Sequence, residues 1–114
     1  MIKRNQIGRR GEIAATRYLQ TKGWKIIKSN YRLGKKEIDI IASYQGNISL
    51  FEIKTRNGAS ADYPIGQQQK KSLRQAHLEF CEKYSLEPST VAYALLVLNY
   101  QGQKAILTYY PDFL

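Results

Sequence analysis

Four residues in this chain have the types and spacing to do chemistry on a phosphate: Glu12, Asp39, Glu52 and Lys54. Three of them fall near or within 37-EIDIIASYQGNISLFEIK-54, a stretch that sets its acids and its lysine among isoleucines, leucine and phenylalanine. Side chains alternate faces along a strand, so Glu37, Asp39 and Ile41 share one face. By the same parity Ile48, Leu50, Glu52 and Lys54 share a face of the next strand, while Phe51 and Ile53 point the other way. If Gln45-Gly46 forms a two-residue hairpin loop, Asp39 faces Glu52 and Glu37 faces Lys54. Directly opposed residues have their Cβ atoms about 5 Å apart. Two facing carboxylates repel unless a cation lies between them. Lys54 offsets part of that charge, and a divalent ion would offset more. Hard cations such as Mg²⁺ take carboxylate, water and phosphate oxygens, which is the donor set on offer. Glu12 precedes Ala15 and Leu19 on one helical stripe, so a helix packed on the sheet directs it toward Asp39 and Glu52. The bland alternative leaves Glu12 and Glu37 solvated and makes Asp39, Glu52 and Lys54 an edge salt-bridge ladder. The matched parity of the whole set favours the metal.

The elements that must hold these residues are legible in the pattern. A helix is expected from about Gln6 to Lys22, ended by Gly23, with Ile7, Gly11, Ala14, Ala15, Tyr18 and Leu19 at helical spacing. Its small residues allow close packing on a sheet. Strands follow at 24-WKIIKSN-30, 37-EIDIIAS-43 and 48-ISLFEIKT-55. The 56–66 segment is rich in turn formers and reads as a loop that could close over a substrate or simply connect. A second helix is expected from about Gln67 to Tyr84, with Leu73, Ala76, His77, Phe80, Cys81 and Tyr84 on one stripe. Pro88 and Ser89 break the chain before 91-VAYALLVLNY-100, whose apolar run suits a strand buried on both faces, and a last strand runs from Lys104 to Tyr110. The first three strands should form a meander, after which the second helix crosses over to place the fourth strand parallel to the third. The expected fold class is α/β, a mixed five-stranded sheet flanked by helices, in a single domain over residues 1–114.

Composition narrows the function. Lysine and arginine number 18 against 9 acids, a net charge of +9 over 114 residues, which suits a polyanion, most often nucleic acid. Hydrophobic residues make up 43%, enough for a packed interior. Cys81 is the one cysteine, so neither an intrachain disulfide nor a multi-thiolate metal cage is possible, and it reads as a small core residue. The basic start runs into no apolar segment and reads as no signal peptide. The run at 91–98 is far short of the roughly 20 residues that span a bilayer. A soluble cytoplasmic protein that avoids membranes is expected. A membrane-surface or ribosome-associated role finds no long helix with a clustered basic face to support it.

The motifs 8-GRRGEIAATRYLQTKGW-24, 30-NYR-32, 37-EIDIIA-42 and 51-FEIKTR-56 together resemble the bacterial YraN-like family and, through it, the PD-(D/E)xK nuclease superfamily. The likeness covers nearly the whole chain. It implies a restriction-endonuclease-like core, closest in outline to archaeal Holliday junction resolvases. It implies that Asp39 and Glu52 hold the metal, with Glu12 completing the site and the Ile53 carbonyl as an added ligand. It also implies that Lys54 positions or polarises the attacking water. Two departures stand out: Lys36 replaces a common glycine before the E-I-D, and Gln69 occupies a position that relatives often give to lysine.

The reading that results is a Mg²⁺- or Mn²⁺-dependent nucleic-acid phosphodiesterase, a structure-selective DNA endonuclease that could act as a homodimer. The alternative is a non-catalytic DNA- or RNA-binding module on the same fold. Candidate catalytic residues are Glu12, Asp39, Glu52, Lys54 and Gln69. Candidate phosphate contacts are Arg9, Arg10, Arg32, Lys35, Lys36, Arg56, Lys70 and Lys71. Tyr31 and Tyr63 could stack on unpaired bases, although such tyrosines more often pack on their own domain. His77, on an apolar stripe, reads as structural.

Overall fold

The computed structural model describes residues 4–58 and 65–114, with side chains from Arg10 onward in the first helix. The side chain of Arg9 and all of Tyr63 lie outside the described residues, as do positions 59–64 of the expected loop. Helix α1 (Arg4–Thr21) leads into strands β1 (Lys25–Leu33), β2 (Lys36–Tyr44) and β3 (Asn47–Asn57). Helix α2 (Gln67–Lys83) and one 3-10 turn at Pro88–Thr90 then lead into β4 (Val91–Gln101) and β5 (Lys104–Tyr110).

Helix α1 ends where glycine permits it. Gly23 has a left-handed backbone, φ +97°. Its N–H donates to the Gln20 carbonyl, and the Trp24 N–H donates to the Leu19 carbonyl at 2.9 Å. This pair of bonds satisfies carbonyls that the last turn would leave open. A second glycine, Gly11, sets how close the helix comes to the sheet. A Cβ at Gly11 would lie 2.2 Å from Thr55 Cγ2, so only glycine lets α1 rest on β3 there.

The strands lie in the order β1-β2-β3-β4-β5, with β3 and β4 parallel and every other pair antiparallel. The crossover through α2 makes β3 and β4 the centre of the sheet, as the long apolar run of β4 requires. Helix α1 covers one face over Ala15, Leu19, Ile40, Phe51, Leu96 and Leu98. On the other face α2 packs Leu73, Phe80 and Cys81 against Ile41, Leu50 and Leu95. This is the expected α/β fold, a mixed five-stranded sheet flanked by helices. Two strands run further than their composition suggested, β1 to Leu33 and β3 to Asn57. Backbone pairing to β2 and β4 carries both strands through polar residues that no hydrophobic alternation marks.

Side residues settle as expected. Cys81 is buried in the core. His77 shares a 2.7 Å hydrogen bond through Nε2 with the Val91 carbonyl, which ties α2 to the start of β4. Tyr31 packs edge-on to Phe80, and its hydroxyl accepts from Lys83 Nζ at 2.8 Å, so it serves its own domain.

Candidate active site

The hairpin at Gln45-Gly46 begins in the expected register, with Tyr44 opposite Asn47 and Ile40 opposite Phe51. Beyond Ile40 the backbone pairing stops, and Asp39 is not a ladder partner of Glu52. Asp39 Oδ2 instead accepts the Ile53 N–H at 2.8 Å, so a side chain takes the place of a backbone carbonyl. The repulsion between facing acids gives the physical reason: parting the strands lets one carboxylate take a backbone donor. The expected pairing of Glu37 with Lys54 is also absent. Glu37 lies opposite Arg32 of β1, with which it forms an ion pair at 3.8 Å.

The two acids still meet. Glu52 is buried on β3, and Lys54 on the same face reaches its Oε1 at 3.6 Å. Burial, and then the charge of Asp39, push the Glu52 carboxyl from an ordinary 4.5 up to about 8, with Lys54 pulling the other way. Asp39 is pushed from 3.8 up to about 6, first by burial, with the charges of Glu12 and Glu37 adding to it and the Ile53 N–H opposing. Desolvation disfavours a charged carboxylate, and a second negative charge nearby adds to the penalty. Glu12 stands apart from this pair. It is half-buried on α1, and its charge reaches Asp39, while its side-chain partner is Asn30 of β1. Among the described residues, no three His, Cys, Asp or Glu side chains lie close enough to encircle an ion.

The profile of the uncharacterised protein family UPF0102 matches residues 11–101, from Gly11 within α1 to the end of β4. A UPF0102 protein of Leifsonia xyli subsp. xyli is 38% identical over 104 residues, covering 87% of each chain. Another, from Prosthecochloris aestuarii, is 38% identical over 87 residues, covering 73% of this chain and 68% of the relative. This chain belongs to the UPF0102 family. That is the YraN-like family whose motifs it carries. Among solved structures, an fdxN element excision controlling factor protein from Anabaena variabilis aligns with a TM-score of 0.44 and 16% identity, over 90% of this chain and 98% of that one. SfsA from Pyrococcus furiosus aligns with a TM-score of 0.43 and 16% identity, over 99% of this chain and 65% of its own.

The remaining candidates of this UPF0102 chain are scattered. Gln69 is half-buried in the first turn of α2. Lys36, the departure from glycine, ties β2 to α2 through Glu79 at 3.3 Å. The Arg10 guanidinium stacks over the Tyr100 ring at 5.5 Å. Arg56 and Lys70 are half-buried, and Lys35 and Lys71 are exposed. Two residues escaped the sequence reading. Asn30 touches Glu12; it stands in the 30-NYR-32 motif and inside a strand, where asparagine is depleted, but the sequence reading gave it no role. Tyr93 is buried on β4 with no hydrogen-bond partner for its hydroxyl among the described residues, and strand alternation marks it as ordinary core. Burial, and then the Glu52 and Asp39 charges, raise its phenol above the ordinary value.

Proposed function

We propose that this UPF0102 protein hydrolyses nucleic-acid phosphodiesters with a divalent metal, as a structure-selective DNA endonuclease of the Holliday junction resolvase-like kind. One observation carries the reading: Asp39, half-buried with its Oδ2 on the Ile53 N–H, and Glu52, buried against Lys54, come together from adjacent strands, and burial pushes both carboxyls up. Such a pair is unfavourable for a structural sheet and suitable for a cation.

The donor set fits Mg²⁺ or Mn²⁺ better than a softer metal. Asp39 and Glu52 would supply carboxylate oxygens, the Ile53 carbonyl and Glu12 stand as further ligands, and water and substrate phosphate would fill the rest of a hard-cation shell. The bound ion would supply a nucleophilic water near neutral pH and offset charge on the leaving oxygen. Lys54, on the face of Glu52, orients the attacking water and offsets charge developing at phosphorus. Gln69, in the first turn of α2, stands as a further catalytic candidate. Arg9, Arg10, Arg32, Lys35, Lys36, Arg56, Lys70 and Lys71 contact phosphates and set affinity without reading sequence. Of these, Arg32 and Lys36 would exchange internal carboxylate partners for phosphate. A two-fold junction would engage a second copy of the chain. The net charge of +9 fits a polyanionic partner in the cytoplasm.

A second reading keeps the fold and the charge as a non-catalytic nucleic-acid-binding module. It is favoured by the lack of a three-ligand cluster among the described residues. Incubating labelled four-way junction, flap, single-stranded and duplex DNA, plus RNA, with Mg²⁺ or Mn²⁺ separates the two. Cutting that Glu52→Gln lacks supports the nuclease. Equal binding by both proteins without cutting supports the module.

A further inference from the structure

Asn30 sits in the middle of β1 with a left-handed backbone, φ +52°. That conformation is uncommon outside glycine, and asparagine is among the few residues that tolerate it. The pairing with β2 passes from Ser29–Ile40 to Tyr31–Ile38, which brackets Asn30 opposite Asp39. At this point the amide reaches carboxylates from two other elements. With its nitrogen facing them, Asn30 Nδ2 lies 3.0 Å from Glu12 Oε1 on α1 and 3.0 Å from Glu37 Oε1 on β2. Carboxylates only accept hydrogen bonds, so this orientation satisfies both amide hydrogens and leaves no acceptor facing an acceptor. Glu37 is held from its other side by Arg32, which leaves Glu12 as the acid whose place depends on the amide. An ordinary surface hydrogen bond would not need an unfavourable backbone in mid-strand, and such strain gathers where a side chain must be aimed.

We infer that Asn30 is a positioning residue whose amide fixes the Glu12 carboxylate on the flank of the Asp39–Glu52 pair, from where it would serve, through water, a divalent cation held by those two acids. This inference rests on the metal-site reading above. Glu12 and Glu37 are also the acids whose charges reach Asp39, which places the amide in the same electrostatic neighbourhood. Partners that orient a ligand from outside its shell are worth about 10- to 100-fold in metal affinity.

The test is Mn²⁺ binding at pH 8.5, followed by titration calorimetry and by the electron paramagnetic resonance signal of free Mn²⁺. The proteins are the full-length wild type, Asn30→Gly, Glu12→Gln and the double variant. Glycine keeps the left-handed backbone available, so Asn30→Gly should melt no lower than wild type while binding Mn²⁺ about tenfold more weakly. In the Glu12→Gln background the same change should add less than about twofold, because the amide then has no carboxylate ligand to aim. Unchanged binding by Asn30→Gly, or equal weakening with and without the Glu12 carboxylate, would overturn the inference while leaving the metal site standing. A wild type that binds no Mn²⁺ would overturn the metal-site reading itself, and this inference with it.

Discussion

Replacing Glu52 by glutamine removes a charge that the fold buries beside another acid while keeping the shape of the side chain. The Glu52 carboxyl goes from an ordinary 4.5 to about 8 on folding. A group whose proton affinity rises on folding contributes stability that is fully present below its unfolded pKa and lost as pH climbs through the folded one. The metal-free protein should therefore be most stable on the acid side, and should lose stability between about pH 4.5 and pH 8 as Glu52 is forced to ionise. Each tenfold change in proton affinity is about 1.4 kcal/mol, which puts a ceiling on the order of 4–5 kcal/mol on the loss. Water entry and movement of Lys54 toward Glu52 reduce this to about 2 kcal/mol. For a domain of this size that is roughly 8 °C in melting temperature. Calorimetric melts in a chelator should show Glu52→Gln above wild type by about that margin at pH 8.5, and level with it at pH 5. The same deficit for Glu52→Gln at both pH values would refute the reasoning, because it would mean that glutamine disturbs packing and that the charge carries no penalty.

Four further outcomes follow from the same geometry. Adding Mg²⁺ at pH 8.5 to 100 times its dissociation constant should stabilise wild type by about 2.7 kcal/mol and leave Glu52→Gln unmoved, as read by thermal melts. Lys54→Met should lower the alkaline stability of the metal-free protein by about 1 kcal/mol with little effect at pH 5, because the cation that offsets Glu52 is gone; equal loss at both pH values would contradict this. Gly11→Ala should destabilise by about 1–3 kcal/mol through the clash with Thr55, and Thr55→Ala in the same chain should recover most of it in denaturant unfolding. Tyr93→Phe should be neutral or stabilising by up to about 1 kcal/mol, because its buried hydroxyl has no partner among the described residues; a larger loss in urea unfolding would show that the hydroxyl is bonded.

Much of this arrangement could be read from the chain, and the misses share a cause. The crossover and strand order follow from local signals: a two-residue turn at Gln45-Gly46, a helical stripe ending near Tyr84, and an apolar run that needs cover on both faces. The pairing of Asp39 with Glu52 followed from parity, which sets the face of a side chain once a strand is granted. Parity assumes that the ladder continues, and here it stops at Ile40 because two acids make a continued ladder unfavourable. The chemistry was legible, whereas the backbone's response to it was not. Asn30 was hidden for a similar reason. Its partner Glu12 is eighteen residues away on another element, and its left-handed backbone has no periodic signature. Tyr93 was missed because a buried aromatic on a central strand looks the same whether or not its hydroxyl is bonded.

The parallel pairing of β3 with β4 also suggests an order of assembly. Residues from α1 to the end of β3 contact one another through short connections, whereas β4 arrives only after α2 has been traversed. Contacts between residues distant in sequence form late, because the intervening chain must be ordered first. Glu52 lies opposite Leu95 in the β3–β4 ladder, so the strand that seals it from water is the one that docks last. A growing chain would thus carry Glu52 hydrated along an open sheet edge until β4 closes over it. Drying of the acid and completion of the sheet are a single event, and acid should speed that step by letting the carboxyl enter as a neutral group. Closure of the sheet and the electrostatic burden of Glu52 would then be governed by the same proton.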